Sequence, residues 1–376
     1  MRPLEVGRDM TAQHIALVFH DFSTGGSERI AIRLANRWAA DGRRVTIFCG
    51  TEEGRARSLV SSEVTVIACT PQIRRGWTSR LRLGWRLAPM LEHHKPDVIF
   101  SPGNFHLSVI AVAARRIGSL RTHIVCKISN PLLPRKLPML IEKFLSLILR
   151  SIVAPIDQWT AMSPQLAGEA KAILGGRPIE CIREPILDQL PKPRSHQMTR
   201  EQHPTIICVG RLERQKDFQL ALRAFAELSP LRGARLVILG EGPDKASLEA
   251  KARRLGIADR VEFAGHVPNV VEWMARASLF LMTSRFEGFP AVLIEARSMG
   301  LPIVTTDCSA AIPEIISSEC HGEIVCSRSP EAIGAAISRQ LTVSATNGAQ
   351  IARGTEAFQL KEIAPLWLQL FDRIAA

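Results

Sequence analysis

The 376-residue chain contains no tyrosine, and aromatic residues make up only 5% of it. A platform that binds single-stranded nucleic acid by stacking needs interleaved aromatics, so this scarcity argues against one. No stretch of about 20 uncharged apolar residues occurs, which leaves no candidate for a membrane-spanning helix. The first ten residues carry two acids and two arginines and do not make a secretory signal, so the expected location is the cytoplasm. Eight cysteines are present, none in a CxxC pair, and Cys320 and Cys326 lack His or Cys neighbours at zinc-like spacing. They are expected to be reduced and mostly buried.

Charge is plentiful but uneven. The net +12 divides into +10 over residues 1–190 and +2 over residues 191–376. A polyanionic partner or an anionic membrane surface would account for the basic half, and so would plain solubility.

Apolar runs at His14 to Phe19, Val45 to Cys49, Val64 to Ala68, Val98 to Phe100 and Ile124 to Ile128 alternate with segments able to form helices. That alternation predicts an α/β, doubly wound parallel sheet. The first strand runs into Asp21-Phe-Ser-Thr-Gly-Gly-Ser-Glu-Arg and then a helix to about Ala40. Gly25 and Gly26 would let the backbone approach an anion at the helix N-terminus, although a tight turn is the plainer reading of such a pair. With no third glycine, and no acid about 20 residues on, a dinucleotide cofactor is not expected. Ligands bind at the carboxyl ends of such strands, which makes Asn104, His106, Ser129 and Asn130 candidates for touching a sugar or an acceptor. A lone loop histidine is more often simply exposed.

Two segments of this half mix basic and apolar residues. Arg74 to Arg86, with Trp77 and Trp85, reads equally well as an interfacial amphipathic helix or as a helix packed on the sheet with its arginines in water. Pro134 to Pro155, a strongly apolar helix pattern flanked by Arg135, Lys136, Lys143 and Arg150, could also lie in a membrane interface, but the favoured reading is an element of the domain itself, packed on the sheet. The pattern lapses from Asp188 to Pro204 into a Pro-rich linker. A second series of strands follows at Thr205 to Val209, Leu236 to Leu239, Val261 to Phe263, Leu279 to Met282 and Ile303 to Thr306, closing near Ile324. The expected divisions are an N-terminal domain over 1–187, a linker over 188–204, a C-terminal domain over 205–355 and a terminal helix over 356–376.

Within the second series, residues 284–302 read as a loop feeding a short buried helix, with Pro290 at its first position and Gly300 and Pro302 ending it. Glu295 lies among Val292, Leu293, Ile294 and Ala296. Such an acid is costly to bury alone and needs either a local arginine or hydroxyl donors such as a sugar offers.

The spacing Glu287-x7-Glu295 around Glu-Gly-Phe-Pro resembles the signature of retaining glycosyltransferases of family 4. So, in order, do Val209-Gly-Arg-Leu212 with Lys216, Leu239-Gly-Glu-Gly-Pro243, Phe263-Ala-Gly-His-Val267 and Thr306-Asp-Cys308. The resemblance covers roughly residues 205–325. It implies the GT-B fold: two Rossmann-like domains, the first binding acceptor and the second a nucleoside-diphosphate sugar, with the C-terminal helix returning to the first. It further implies that Arg211 and Lys216 bind the diphosphate and Glu287 the donor sugar, giving a catalytic set of Arg211, Lys216 and Glu287. Glu295 would accept from ribose hydroxyls, backbone amides around Phe289, Pro290 and Ala291 would approach sugar and diphosphate, and Gly210, Gly240, His266 and Val267 would flank the nucleotide. Gly25 and Gly26 match the glycine-rich loop that faces the donor diphosphate. No Asp-x-Asp pair is present, so the reaction is expected to be metal-independent.

Two departures stand out. Ser309-Ala-Ala-Ile312 replaces the Pro-Ser-Gly-Pro usual after Thr-Asp-Cys, and Arg183-Glu184-Pro185 stands where Asn-Pro is common. The expected activity is transfer of a hexose or N-acetylhexosamine, from UDP in preference to GDP, to a saccharide or lipid-linked acceptor in cell-surface glycan synthesis. Peripheral contact with the anionic inner face of the cytoplasmic membrane would serve such an acceptor. The competing reading is a non-catalytic scaffold whose basic half engages nucleic acid or another polyanion. Retention of Arg211, Lys216, Glu287 and Glu295 favours the enzyme, since a scaffold has no physical need of all four.

Overall fold

The computed structural model describes residues 11–23, 26–117, 122–134, 137–191, 203–228, 233–343 and 348–376. Two compact units emerge, one comprising Met1–Asp188 with Leu360–Ala376, the other Gln189–Gln359. Asp188 belongs to the first because Arg33 grips its carboxylate at 2.5 Å. Most of the Pro-rich segment, residues 192–202, lies outside the described residues.

The first unit runs β1 (His14–Phe19), α1 (Gly26–Ala40), β2 (Arg44–Cys49), β3 (Thr65–Ala68), α2 (Ser79–His94), β4 (Val98–Ser101), α3 (Leu107–Arg116), β5 (His123–Ile128), α4 (Met139–Ile152), β6 (Gln158–Ala161), α5 (Pro164–Ile173) and β7 (Ile179–Cys181). The strands pair in parallel in the order β3-β2-β1-β4-β5-β6-β7. Strands β6 and β7 escape a reading of apolar runs. They are three or four residues long and carry polar Gln158, Thr160 and Glu180.

Right-handed crossovers place α1 on one face of this sheet and α2 to α5 on the other. Ile15, Leu17 and Phe19 point to the α1 face, where they meet Ile32, Ala35 and Trp38 and the last helix of the chain. That helix begins at Leu360 and runs to Ala375, preceded by a 3-10 turn over Thr355–Phe358. Trp38, Phe100, Trp367 and Phe371 interlock with ring centroids 4.8 to 5.9 Å apart, mostly edge-on. This geometry satisfies the aromatic quadrupoles. The Trp38 indole donates to Ala364 O at 3.2 Å, and Asp372 binds both Ala12 N and Arg43.

Helix α4 overturns the expectation of an apolar side turned to the sheet. Its buried residue is Ser146, while Met139, Leu140, Ile141, Phe144, Leu147, Ile148 and Ile152 are exposed. In the other basic segment, the arginines are partly consumed inside the unit. Arg74 pairs with Glu53 at 2.6 Å, Arg75 chelates Asp21, and Arg75 and Arg80 both stack on Phe105. Of the eight cysteines, five are buried; Cys181 and Cys326 are exposed.

The second unit runs β8 (Thr205–Val209), α6 (Phe218–Ala226), β9 (Arg235–Leu239), α7 (Lys245–Arg254), β10 (Val261–Gly265), α8 (Val270–Arg276), β11 (Leu279–Met282), α9 (Ala291–Ser298), β12 (Ile303–Thr306), α10 (Ile312–Ile315), β13 (Gly322–Val325), α11 (Pro330–Val343) and α12 (Gly348–Ala352), with α13 being the Leu360–Ala375 helix of the first unit. Its strand order is β10-β9-β8-β11-β12-β13, all parallel. In each sheet the order reverses once, between β1 and β4 and between β8 and β11. Such switch points open a crevice at the carboxyl ends of the strands.

Two histidines of the first unit are held neutral by burial. The His14 ring lies against Thr46 Oγ1 at 2.9 Å and is pushed down to about 4, first by burial and then by Arg44. The His106 ring is pushed down to about 3 by burial, with His20 and Arg75 acting in the same direction. Below the ordinary value of 6.5 the unfolded rings take up protons that the folded rings refuse. Their contribution is therefore complete above that pH and is lost as pH falls through the window down to these lowered values, by about 1.4 kcal/mol per pH unit for each ring. Thermal melts across this window should show Tm falling with pH, and His14→Gln should flatten part of the slope. Equal slopes in variant and parent would remove His14 from the account.

Candidate functional site

Beside the switch point of the second sheet, at the ends of β8 and β9, backbone meets backbone. Gly240, at φ 137°, sits so close to the loop after β8 that a Cβ would lie 1.9 Å from Gly210 O. Its N–H donates to Gly265 O at 2.7 Å, and that of Gly210 to Leu239 O at 2.9 Å. A side chain on Gly210 would press on the Lys216 methylenes at 3.1 Å. The two glycines thus let Lys216 fold back over the strand ends.

Lys216 Nζ lies 2.5 Å from Glu287 Oε1, which also accepts from Ser284 Oγ at 2.8 Å. Both side chains are largely enclosed, at 21% and 11% exposure. The loops after β8 and β11, 71 residues apart in sequence, therefore meet in one ion pair. Their backbones are laced as well. Arg285 N donates to Gln215 O at 2.8 Å, Gln215 Nε2 to Phe286 O at 3.0 Å, and Thr283 Oγ1 to Asp217 O at 3.0 Å.

Asp217 carries that lacing, and sequence reasoning passed over it. It takes a left-handed backbone, φ 46°, at the residue before α6, and its carboxylate accepts from Arg285 and Arg328 at 2.8 Å each. Arg328 also donates to Ser284 O and Thr283 O at 2.9 Å. Residues 306–311 close the other side. Thr306 Oγ1 donates to Ser284 O, Cys308 O accepts from Glu287 N, and Ser309 Oγ donates to Gly288 O at 2.6 Å while accepting from Ala311 N. The Ser309 hydroxyl thus shapes a loop that lacks the family's Gly-Pro. Burial, with Glu287 nearby, pushes the Cys308 thiol up to about 11.

Arg211 stands apart, its side chain 79% exposed and paired with Glu213 at 3.1 Å. Helix α9 starts at Ala291, with Pro290 just before it rather than at its first position. Its open side carries Ala291, Val292 and half-buried Glu295; Leu293, Ile294, Ala296, Arg297 and Ser298 are buried. Arg297 fixes the helix by donating to Ile351 O, Ile315 O and Arg353 O. Phe289 leans on Phe358, centroids 6.1 Å apart. His266 and Val267 follow β10, the histidine exposed and the valine half-buried.

Beside the switch point of the first sheet, at the ends of β4 and β5, Asn104, Ser129 and Asn130 come together. Asn104 Nδ2 donates to Asn130 O at 2.7 Å, and Asn104 Oδ1 accepts from Ser129 N at 2.9 Å. His106 differs from the expected exposed loop histidine. It is 2% exposed, and its Nε2 accepts from His20 N at 3.2 Å, which makes it a part of the scaffold. Gly26 is the first residue of α1 and is exposed, whereas Gly25 lies outside the described residues. Asp21, in the same loop, is held near 2: burial alone would raise it, but Arg75 and Ser23 more than offset that. Glu184, the departure from Asn-Pro, is buried against Lys127 of β5 at 2.5 Å. A buried lysine requires such a partner.

Two family models match consecutive parts of the chain: a glycosyl transferase 4-like domain over residues 25–183 and glycosyl transferases group 1 over residues 203–342. An exopolysaccharide phosphotransferase of Streptomyces coelicolor is 34% identical over 177 residues, 46% of this chain and 19% of that protein. The N-acetylgalactosamine-N,N'-diacetylbacillosaminyl-diphospho-undecaprenol 4-alpha-N-acetylgalactosaminyltransferase of Campylobacter jejuni is 36% identical over 120 residues, 32% of this chain and 32% of that protein. The chain thus spans a third or less of the length of these curated relatives. Among solved structures, Anabaena HepE in complex with UDP and glucose superposes with a TM-score of 0.75 at 19% identity, over 96% of this chain and 100% of that one. Two parallel sheets, each with its own switch point, give the chain the GT-B fold, and its two halves match the glycosyl transferase 4-like domain and the glycosyl transferases group 1 domain in turn.

Proposed function

We propose that this protein transfers a hexose or N-acetylhexosamine from a nucleoside-diphosphate sugar, UDP in preference to GDP, to a saccharide or lipid-linked saccharide, with retention and without a metal. The observation that carries the reading is the Lys216–Glu287 pair at the switch point of the second sheet, with Arg211 exposed beside it in sequence. A diphosphate arriving there would take over Lys216. Glu287 would then be released to accept from donor-sugar hydroxyls while Ser284 keeps its orientation. Arg211 and Lys216 would stabilise the negative charge that grows on the departing diphosphate, the moment at which fixed cations act most strongly. The acceptor hydroxyl oxygen would bond to the anomeric carbon on the face the leaving group vacates. The anomeric carbon–oxygen bond breaks, and the hydroxyl proton passes to the departing phosphate oxygen. Glu295, on the open side of α9, would meet the ribose.

The relatives lend support to the donor and acceptor classes. HepE binds UDP and glucose, and the Campylobacter relative's name places its acceptor on a diphospho-undecaprenol lipid. A lipid-linked acceptor would bring the basic first unit to a membrane. Such contact is proposed as peripheral; among the described residues no helix is long and apolar enough to cross a membrane.

Arg211→Ala and Lys216→Ala should each fold and each lose about 100- to 1,000-fold in turnover, as removal of one such donor costs roughly 2.7 to 4 kcal/mol of barrier. Near-parental rates in either variant would defeat the assignment. Activity should also survive EDTA, measured on protein dialysed against the chelator; strict dependence on added Mg or Mn would show that a cation carries the diphosphate charge. In a thermal-shift series, UDP and UDP-sugars should raise Tm more than GDP or ADP, because a ligand of the folded state stabilises by mass action. A shift with GDP alone would overturn the choice of base.

A further inference from the structure

Helix α4 is built inside out for a protein in water. Ser146 is 6% exposed on the side packed against the domain, while Leu140, Phe144 and Leu147 are 76%, 63% and 63% exposed. With Ile141, Ile148 and Ile152 they occupy positions i, i+1, i+4, i+7, i+8 and i+12, a continuous apolar stripe along one side of a 14-residue helix. The helix is firmly seated at its other side. Arg150 donates to Ile173 O at 2.6 Å and Ala172 O at 3.0 Å, and Arg115 of α3 bonds Ser151 O. The stripe is thus held outward by a fixed element. Contiguous exposed apolar surface on a soluble domain marks a surface that is covered in use.

Charge decides what covers it. Helices α2, α3 and α4 occupy the same face of the first sheet and between them carry seven Lys or Arg residues and two acids, Glu92 and Glu142; with Arg80 stacked on Phe105 and Arg115 and Arg150 bonded to carbonyls, Arg82, Arg86, Arg116 and Lys143 are left for the surface. On α2, Leu81 and Trp85 are 55% and 58% exposed and line, with Arg82 and Arg86, a groove of about 360 Å³. Lys143 stands in the middle of the α4 stripe's sequence and is exposed. An apolar stripe bordered by cations fits a sheet of anionic headgroups over hydrocarbon, where leucine and phenylalanine enter the acyl boundary and arginine and lysine stay with the phosphates.

We propose that α4 is the helix by which this protein seats itself on an anionic lipid surface, lying in the plane of the interface with Leu140, Phe144 and Leu147 inserted. This deepens the lipid-linked acceptor reading and takes its purpose from it, but the contact itself requires neither donor nor acceptor. It also moves the membrane contact away from Arg74, Arg75 and Arg80, which Glu53, Asp21 and Phe105 occupy.

The test is co-sedimentation of the full chain with vesicles of phosphatidylcholine and phosphatidylglycerol, against pure phosphatidylcholine, at low and high salt. The parent should pellet with the anionic vesicles, less with neutral ones, and less as salt screens the headgroups. Phe144→Ser combined with Leu147→Ser should lower the partition coefficient about 100-fold or more, since each buried side chain of this size contributes at least about tenfold. Lys143→Gln should weaken only the salt-sensitive part. Near-UV circular dichroism and the UDP-induced Tm shift should be those of the parent, which keeps a failure of the donor reading separate from a failure of this one. Equal pelleting of parent and double variant would overturn the proposal, as would a parent that ignores anionic vesicles at low salt. So would sedimentation equilibrium showing a parental dimer that the double variant abolishes, because the stripe would then belong to a second copy of the chain.

Discussion

The carboxylate of Asp217 is the contact on which the second unit's site depends. It sits in a backbone conformation that non-glycine residues rarely take, and its side chain is 7% exposed. A carboxylate so enclosed is tolerable only when paired. Arg285 and Arg328 supply the pairing from the loops after β11 and β13, and Arg328 spends its remaining donors on Thr283 O and Ser284 O. Three segments remote in sequence are thereby locked at one point. Lys216 precedes Asp217 directly, and Glu287 lies two residues beyond Arg285. The spacing of the Lys216–Glu287 pair is thus inherited from an ion cluster one step behind it.

The resting pairing of Lys216 with Glu287 follows from the same enclosure. Neither charge could stay in so little water without a counter-charge, and each is the other's. Under the proposed reaction the pair exchanges partners: the diphosphate supplies an anion for the lysine, and sugar hydroxyls supply donors for the glutamate. Such an exchange keeps every buried charge compensated before and after binding. It also explains why the cation and anion come from strands on opposite sides of the switch point, the one place in the sheet where neighbouring loops diverge enough to admit a ligand.

The architecture was legible because a doubly wound sheet writes itself as apolar runs spaced by helices, and ten of its thirteen strands are such runs. Strands β6 and β7 are too short and too polar to register, and β13 announced itself only as a closing residue. The site was legible where its groups cluster in short segments, as Gly210, Arg211 and Lys216 do. Asp217 and Arg328 were not, since a pairing across 111 residues leaves no local trace. His106 was misjudged for the same reason. Whether a loop histidine faces water or a neighbouring strand end depends on His20, 86 residues away.

Helix α4 shows where periodicity stops informing. Its sequence declares an apolar stripe, and a stripe ordinarily turns to the sheet because burial there is the largest available gain. The pattern cannot say which side the domain uses. The opposite side is chosen here by a small buried residue, Ser146, and by specific polar contacts: Arg150 reaching two carbonyls at the end of α5, and Arg115 reaching the end of α4 from α3. Those bonds hold the helix with its leucines outward even though water is a poor solvent for them. A fold that spends three polar contacts to keep an apolar face in the open gains from it only if that face meets something other than water. The cations of the neighbouring helices make an anionic interface the surface that best compensates both.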